Sequence, residues 1–119
     1  MRGLPRTTVD DVLLVLDEAV SNAIRHGSAA GQPITVALAV DGCWVEVRVA
    51  DSGPTERLPR LPGAPPSSLA TGGRGLWLIR QLADDVRLRR AGRGTLLWAR
   101  CRVPSVVGIG GERGLGAAR

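Results

Sequence analysis

Two runs rich in β-branched residues, 34–40 and 44–50, meet across Asp41-Gly42, and two more, 86–90 and 95–103, meet across Ala91-Gly92-Arg93-Gly94. Each pair reads as a β-hairpin, because a short glycine-containing link between such runs turns the chain back on itself. In the second run Val45, Val47 and Val49 share one face, and Trp44, Glu46 and Arg48 the other. One side of the sheet is therefore expected to be buried and the other at least partly wet. Helical periodicity precedes each hairpin, over residues 8–26 and again over 75–83, where Leu76, Ile79 and Leu82 are apolar. Gly27, Ser28 and Gly31 stop the first helix, and Pro104 ends the last strand. The order helix, two strands, loop, helix, two strands predicts an α+β fold: a two-layer α/β sandwich with helices on one face of a mostly antiparallel sheet.

A chain of 119 residues with 44% hydrophobic content suits one domain with a real core. It holds no run of 18 apolar residues, and its start, Met1-Arg2-Gly3-Leu4-Pro5, lacks an apolar signal segment. Neither a membrane span nor a secretory signal is expected, which points to the cytoplasm. Cys43 and Cys101 lack CxxC spacing, and there is no second histidine to complete a zinc site, so two reduced, packed thiols are expected. All 16 basic residues are arginine. The absence of lysine excludes a P-loop of the GxxxxGK[ST] type and the eukaryotic-type protein kinase fold, both of which need a lysine on the phosphates. The arginines are scattered apart from Arg87, Arg89, Arg90 and Arg93, and there is no Tyr or Phe to interleave with them. The net charge of +5 is thus weak support for nucleic-acid binding.

Three polar or glycine-rich elements could clamp a ligand. Glu18, Asn22 and His26 are four residues apart on the first helix, and each step of four advances only about 40°, so they form one ridge. Val9, Leu13, Leu16, Val20 and Ile24 lie on nearly the opposite face and are the expected buried stripe, which turns the ridge toward solvent. A carboxylate one turn from a carboxamide can act as a base beside a metal ligand, or simply be a solvated helix face. Asp51-Ser52-Gly53-Pro54 can offer a carboxylate to an exocyclic amine and a glycine to a flat ring, or can be an ordinary turn. Thr71-Gly72-Gly73-Arg74-Gly75 opens the second helix with free amides and an arginine, the ingredients of a phosphate site. The proline- and glycine-rich stretch 52–73 between them has the length of a functional lid or a disordered loop.

In this order, Asp17-Glu18-Ala19-Val20-Ser21-Asn22-Ala23-Ile24-Arg25-His26-Gly27, Val49-Ala50-Asp51-Ser52-Gly53-Pro54 and Gly73-Arg74-Gly75-Leu76-Trp77-Leu78-Ile79 resemble the N, G1 and G2 boxes of the GHKL ATP-binding superfamily. The wording is most similar to the bacterial anti-sigma regulatory factors that act as serine/threonine protein kinases, a subgroup expanded in actinomycetes. The resemblance covers residues 8–103. It implies a Bergerat-type sandwich over residues 1–104, and the five glycines and scant core material of 105–119 read as a flexible tail.

The resemblance also implies roles. Asn22 would hold Mg²⁺ bridging the ATP phosphates, and Glu18 would be the general base toward the attacking hydroxyl. Asp51 would accept from the adenine amino group, with Gly53 giving the ring room and Thr95 adding a hydroxyl. Gly73, Arg74 and Gly75, leading into Leu76, would cradle phosphates, and residues 52–72 would form the ATP lid. His26 fits the family wording, or packs or caps the helix end.

Two departures stand out. Thr55 replaces a glycine common in the G1 box, and only residues 1–7 precede the N-box helix where the family usually has a strand and a helix. That front element is expected to be missing, leaving bare a sheet edge at which such proteins commonly dimerise. The resemblance implies a kinase acting on a STAS-type anti-anti-sigma protein and binding a sigma factor, with homodimerisation possible and no direct contact with nucleic acid or membrane. The alternative is an ATP-dependent protein-binding switch with little catalysis. A histidine kinase catalytic half is disfavoured because no upstream dimerisation helix with a phosphoacceptor histidine is present, and DNA binding through the arginines comes last.

Overall fold

The computed structural model describes residues 3–29, 31–67 and 73–104. The first helix, α1, spans Arg6–Asn22 and continues into a wider π-helical turn, Ala23–Gly27. Strands β1 (Thr35–Val40) and β2 (Trp44–Ala50) follow, then α2 (Arg74–Leu82), β3 (Asp85–Ala91) and β4 (Gly94–Arg102). All pairings are antiparallel in the order β1-β2-β4-β3, so the last strand inserts between the two hairpins. Helix α1 packs over β2 and β4 and beside α2, which reaches β3. The expected two-layer sandwich is the observed one.

Local chemistry accounts for the element ends. Pro5 sits at the helix N-cap with φ −57°, and its carbonyl accepts from the Val9 amide at 3.0 Å, so α1 begins at Arg6, two residues earlier than the periodicity suggested. In the first hairpin the Asp41 carboxylate accepts from the Cys43 and Trp44 amides, both at 2.9 Å. These two bonds hold its pKa below the ordinary carboxylate value. The second hairpin closes Ala91 against Gly94 through Gly92, whose φ is +57°.

The core is where two faces meet. Val45, Val47 and Val49 of β2 pair with Cys101, Ala99 and Leu97 of β4, and all six are buried beneath the helices. The helix contributes Val12, Val15, Ala19 and Ala23, with Leu76 and Ile79 from α2. This corrects the expected stripe. Leu13 and Ile24 are 50% and 62% exposed, and only Leu16 and Val20 of that row pack at the margin of the core. Two apolar rows lie side by side on α1, and the row with two alanines faces the sheet, because small side chains let helix and strands approach closely. The polar ridge is consequently turned toward the sheet end instead of away from it.

Strand β1 is exposed along its whole length. Val36, Leu38 and Val40 pair with Val49, Val47 and Val45 and so share the helix-covered face, yet they remain 44–55% exposed. No helix among the described residues reaches over them.

Of the two thiols only Cys101 is packed; Cys43 is exposed. Burial, followed by the charges of Asp84 and Asp11, pushes the Cys101 thiol up to about 11. Iodoacetamide at pH 8 should therefore modify Cys43 alone in the native protein and both cysteines in urea, as read by peptide mass. Because the folded-state pKa is raised, the stabilisation tied to the neutral thiol is complete below about pH 9 and declines as pH rises toward 11. Equal labelling of both thiols in the native state would contradict this packing.

Candidate functional site

One cleft of ≈ 160 Å³ opens between the end of α1, the end of β2 and the start of β4. That is far more than the roughly 10–15 Å³ a single water needs. Its floor is apolar, made by Ala19, Ala23, Val49, Leu88 and Leu97, and its polar groups are Asn22, His26, Asp51, Thr55, Arg57 and Thr95. A few convergent polar groups over an apolar floor suit a flat, partly polar ligand.

Asp51 is the most constrained of these groups. Its Oδ1 accepts from the Gly53 amide at 2.9 Å and the Thr95 amide at 3.1 Å, and its own amide donates to the Thr95 carbonyl at 3.0 Å. Oδ2 lies against Gly27, where any Cβ would collide with the Asp51 carboxyl group. Gly94 is held as tightly, since a Cβ there would meet the Asp51 carbonyl and Oδ1. The carboxylate is thus locked by backbone on one oxygen. Its second oxygen has no hydrogen-bond partner among the described residues.

The π-helical turn brings α1 to this carboxylate. The Ser28 amide reaches back five residues to the Ala23 carbonyl at 3.1 Å, which widens the last turn and carries His26 and Gly27 to the cleft. Ser28 Oγ then accepts from the Ser52 amide at 2.9 Å, Ser52 Oγ donates to the Pro33 carbonyl at 2.6 Å, and the Ala29 amide donates to the Gly53 carbonyl at 3.3 Å. These bonds stitch the helix end to the Asp51 turn.

Thr55 and Thr95 form a second pair, with the Thr95 hydroxyl donating to Thr55 Oγ1 at 3.2 Å. The Thr55 amide donates to the Arg93 carbonyl at 2.8 Å, and the Arg90 guanidinium donates to the Thr55 and Glu56 carbonyls, both at 2.5 Å. Farther along, Arg80 donates to the Pro62 carbonyl at 3.1 Å. The described part of the long loop is therefore anchored to β3 and α2.

Asn22, Asp51 and Thr95 line the cleft together. Gly53 does not line it; it is buried, with φ +68°, and a Cβ there would strike the Arg93 carbonyl, so its place is in the turn that presents Asp51. Glu18 stands one turn back on α1, its Oε1 2.8 Å from where a Cβ on Gly75 would lie, so the ridge touches the beginning of α2. Gly73 caps α2 with φ +90°, Arg74 is exposed at its first position, and the Leu76 side chain packs in the core. Glu18, Gly73, Arg74, Gly75 and Leu76 lie outside the cleft lining. Residues 68–72, which include Thr71 and Gly72 of the expected lid and phosphate loop, lie outside the described residues, as does the 105–119 tail.

Sequence reasoning marked Thr55 only as a departure from the G1 box, and did not single out Arg57, Leu88, Gly27 or Gly94 as site residues. Leu88 and Leu97 were legible from strand alternation as inward-facing positions. The closeness of Gly27 and Gly94 to Asp51 had no local signal, because both glycines also fit a helix stop and a hairpin turn.

The sequence matches the profile of the histidine kinase-like ATPase domain over residues 1–101. It is similar to the serine-protein kinase RsbW of Oceanobacillus iheyensis, at 28% identity over 97 aligned residues. It is also similar to the serine-protein kinases RsbW of Listeria monocytogenes serotype 4b and Listeria innocua serovar 6a, at 32% identity over 97 aligned residues. Each alignment covers 72% of this chain but 61% of the relative, so the chain spans about three-fifths of the length of these proteins.

Proposed function

The chain belongs to the histidine kinase-like ATPase family, and from that premise we propose that it is a cytoplasmic Mg-ATP-binding serine/threonine protein kinase of the anti-sigma-factor type. In this reading it phosphorylates a STAS-type anti-anti-sigma protein, holds a sigma factor when not so engaged, and works without direct contact with nucleic acid or membrane. No helix among the described residues is long and apolar enough to cross a bilayer. The similarity to serine-protein kinases supports the acceptor class.

The observation that carries the nucleotide assignment is the Asp51 carboxylate, fixed through Oδ1 by two backbone amides, with Oδ2 unpaired among the described residues, at a cleft with an apolar floor. Such an acceptor suits the exocyclic amine of adenine, and the Thr55–Thr95 hydroxyl pair beside it suits a ring nitrogen. Asn22 offers one hard oxygen donor at the same cleft. Among the described residues no cluster of three His, Cys, Asp or Glu side chains could hold a metal by itself. Asn22 therefore fits a magnesium ion whose other ligands are phosphate and water, the usual way this ion is held. When bound, Mg-ATP supplies the phosphoryl group and the charge-neutralising cation. In this reading Glu18, which lies beside the α2 N-terminus, accepts the proton of an incoming hydroxyl, and the first amides of α2 with Arg74 offer positive charge to phosphate oxygens.

The reading is tested by incubating the protein with γ-labelled ATP and a candidate STAS protein. Label on a serine or threonine of the partner supports the kinase. Saturable nucleotide binding without transfer to any acceptor supports the second reading, a protein-binding switch, and the exposed Val36, Leu38 and Val40 of β1 are a surface at which either form could pair with a second copy.

Asn22→Ala should erase the magnesium-dependent part of ATP's stabilising effect. At a hundred times Kd, Mg-ATP is expected to add about 2.7 kcal/mol to wild-type stability. The ligand-free variant should melt within about 5 °C of wild type, roughly 1 kcal/mol for a domain of this size. A larger fall without ligand would assign Asn22 to the scaffold.

A further inference from the structure

The sheet face opposite the helices carries an unabsorbed pattern. Strand alternation sets Trp44, Glu46 and Arg48 of β2, Trp98, Arg100 and Arg102 of β4, and Asp85, Arg87 and Arg89 of β3 on this outer side. Five of the chain's arginines thus share one surface with two of its three tryptophans. Scattered in the chain, they are gathered by register.

The face is pre-ordered. The Arg100 guanidinium lies 3.8 Å from the centre of the Trp44 ring, with Arg102 at 5.6 Å from it, and Arg87 and Arg100 lie 5.4 and 5.8 Å from the Trp98 ring. Glu46 is engaged internally, accepting from Trp98 Nε1 at 3.1 Å and from Arg48 at 3.3 Å, and Asp85 is paired with Arg87 at 3.3 Å. Arg89, Arg100 and Arg102 form no ion pair among the described residues. A guanidinium stacked on an indole uses its flat face and keeps its in-plane N–H donors free for a carboxylate.

Charge, shape and size narrow the occupant. A second copy of this face would set arginine against arginine. A nucleic acid would find the Trp44 face already covered by Arg100, and two carboxylates under its phosphates. A bilayer would find the apolar side chains of this face, Trp44, Leu96 and Trp98, half-buried among five arginines on β2, β4 and β3. Three strands about 4.8 Å apart and roughly 23 Å long make a strip as wide as one α-helix of about 10–12 Å. Arg100 and Arg102, two residues apart on a strand, are spaced by about 6.8 Å, close to the 5.4 Å turn of a helix bearing carboxylates at i and i+4.

We propose that this Arg–Trp face docks an acidic helical segment of a protein partner, with its carboxylates seated on the N–H edges of Arg89, Arg100 and Arg102. The surface lies on the opposite side of the sheet from the nucleotide cleft, so the proposal stands independently of catalysis.

The test titrates the full chain, with Trp77→Phe to leave Trp44 and Trp98 as reporters, with a synthetic alanine-based helix bearing glutamate at i, i+4 and i+8. Tryptophan emission should saturate with Kd on the order of 100 µM, as befits a contact well below the standard interface size. Arg89→Glu/Arg102→Glu should weaken binding at least tenfold while the Mg-ATP melting shift stays unchanged, and Arg89→Gln/Arg102→Gln repeats the measurement should the first variant fold poorly. Arg100→Lys, which keeps charge but loses the planar stack, should weaken it several-fold. Equal binding by the charge-reversed protein, equal binding of a scrambled-glutamate peptide, or tighter binding of oligouridylate or phosphatidylserine vesicles would each overturn the proposal.

Discussion

Glu18→Gln should lower phosphoryl transfer to a serine or threonine acceptor by on the order of 10²- to 10⁴-fold, the span by which a positioned general base accelerates such a step. Nucleotide affinity should change less than twofold, because Glu18 is outside the lining of the cleft that holds Asn22, Asp51 and Thr95. Glutamine keeps the size of the side chain, so the contact with Gly75 survives and only the ability to take a proton is removed. Single-turnover transfer of labelled phosphate, with binding measured in parallel by calorimetry, separates the two quantities. Undiminished transfer would remove Glu18 from the chemistry. A joint fall of rate and affinity would make it a structural prop of the α1–α2 contact instead.

Asp51→Asn should weaken ATP about 100-fold, or roughly 2.7 kcal/mol, and leave inorganic tripolyphosphate within twofold. The reason is the division of labour between the two carboxylate oxygens. Asparagine can keep an oxygen facing the Gly53 and Thr95 amides, which preserves the turn, but must then point an amide N–H₂ where Oδ2 stood against Gly27. That places a donor opposite the adenine amine, and an unmatched polar pair in a closed site is costly. Inosine triphosphate, whose ring bears a carbonyl at this position, should bind the variant better than ATP does, reversing the wild-type preference. Uniform weakening of ATP, inosine triphosphate and tripolyphosphate would refute a base-reading role for Asp51.

The elements were legible because their signals are local. Asp41-Gly42 and Gly92-Arg93 mark hairpins through turn chemistry confined to a few residues, and the Val45-Val47-Val49 alternation identifies a buried face without reference to any partner. The order of the three motifs likewise needed only the chain. The buried face of α1 was not legible. Val12-Val15-Ala19-Ala23 and Leu13-Leu16-Val20-Ile24 are neighbouring apolar rows, and hydrophobicity favours the bulkier one, whereas the sheet accepts the smaller because it admits closer approach. That one rotation of the helix decides whether Asn22 looks into solvent or into the cleft.

The same division runs through the site. The sequence by itself determined which side chains are available: a helix with Glu18, Asn22 and His26 in one ridge, a carboxylate at a strand end, a glycine-led second helix, and no lysine. Only the tertiary structure decided that Asp51 is clamped between Gly27 and Gly94, residues 24 and 43 positions away, and that five arginines from three strands form one basic face. Spacing along a helix or strand sets short-range geometry. Contacts between distant segments depend on strand order, register and the depth to which the helix settles, and these are settled by the packing of the whole core.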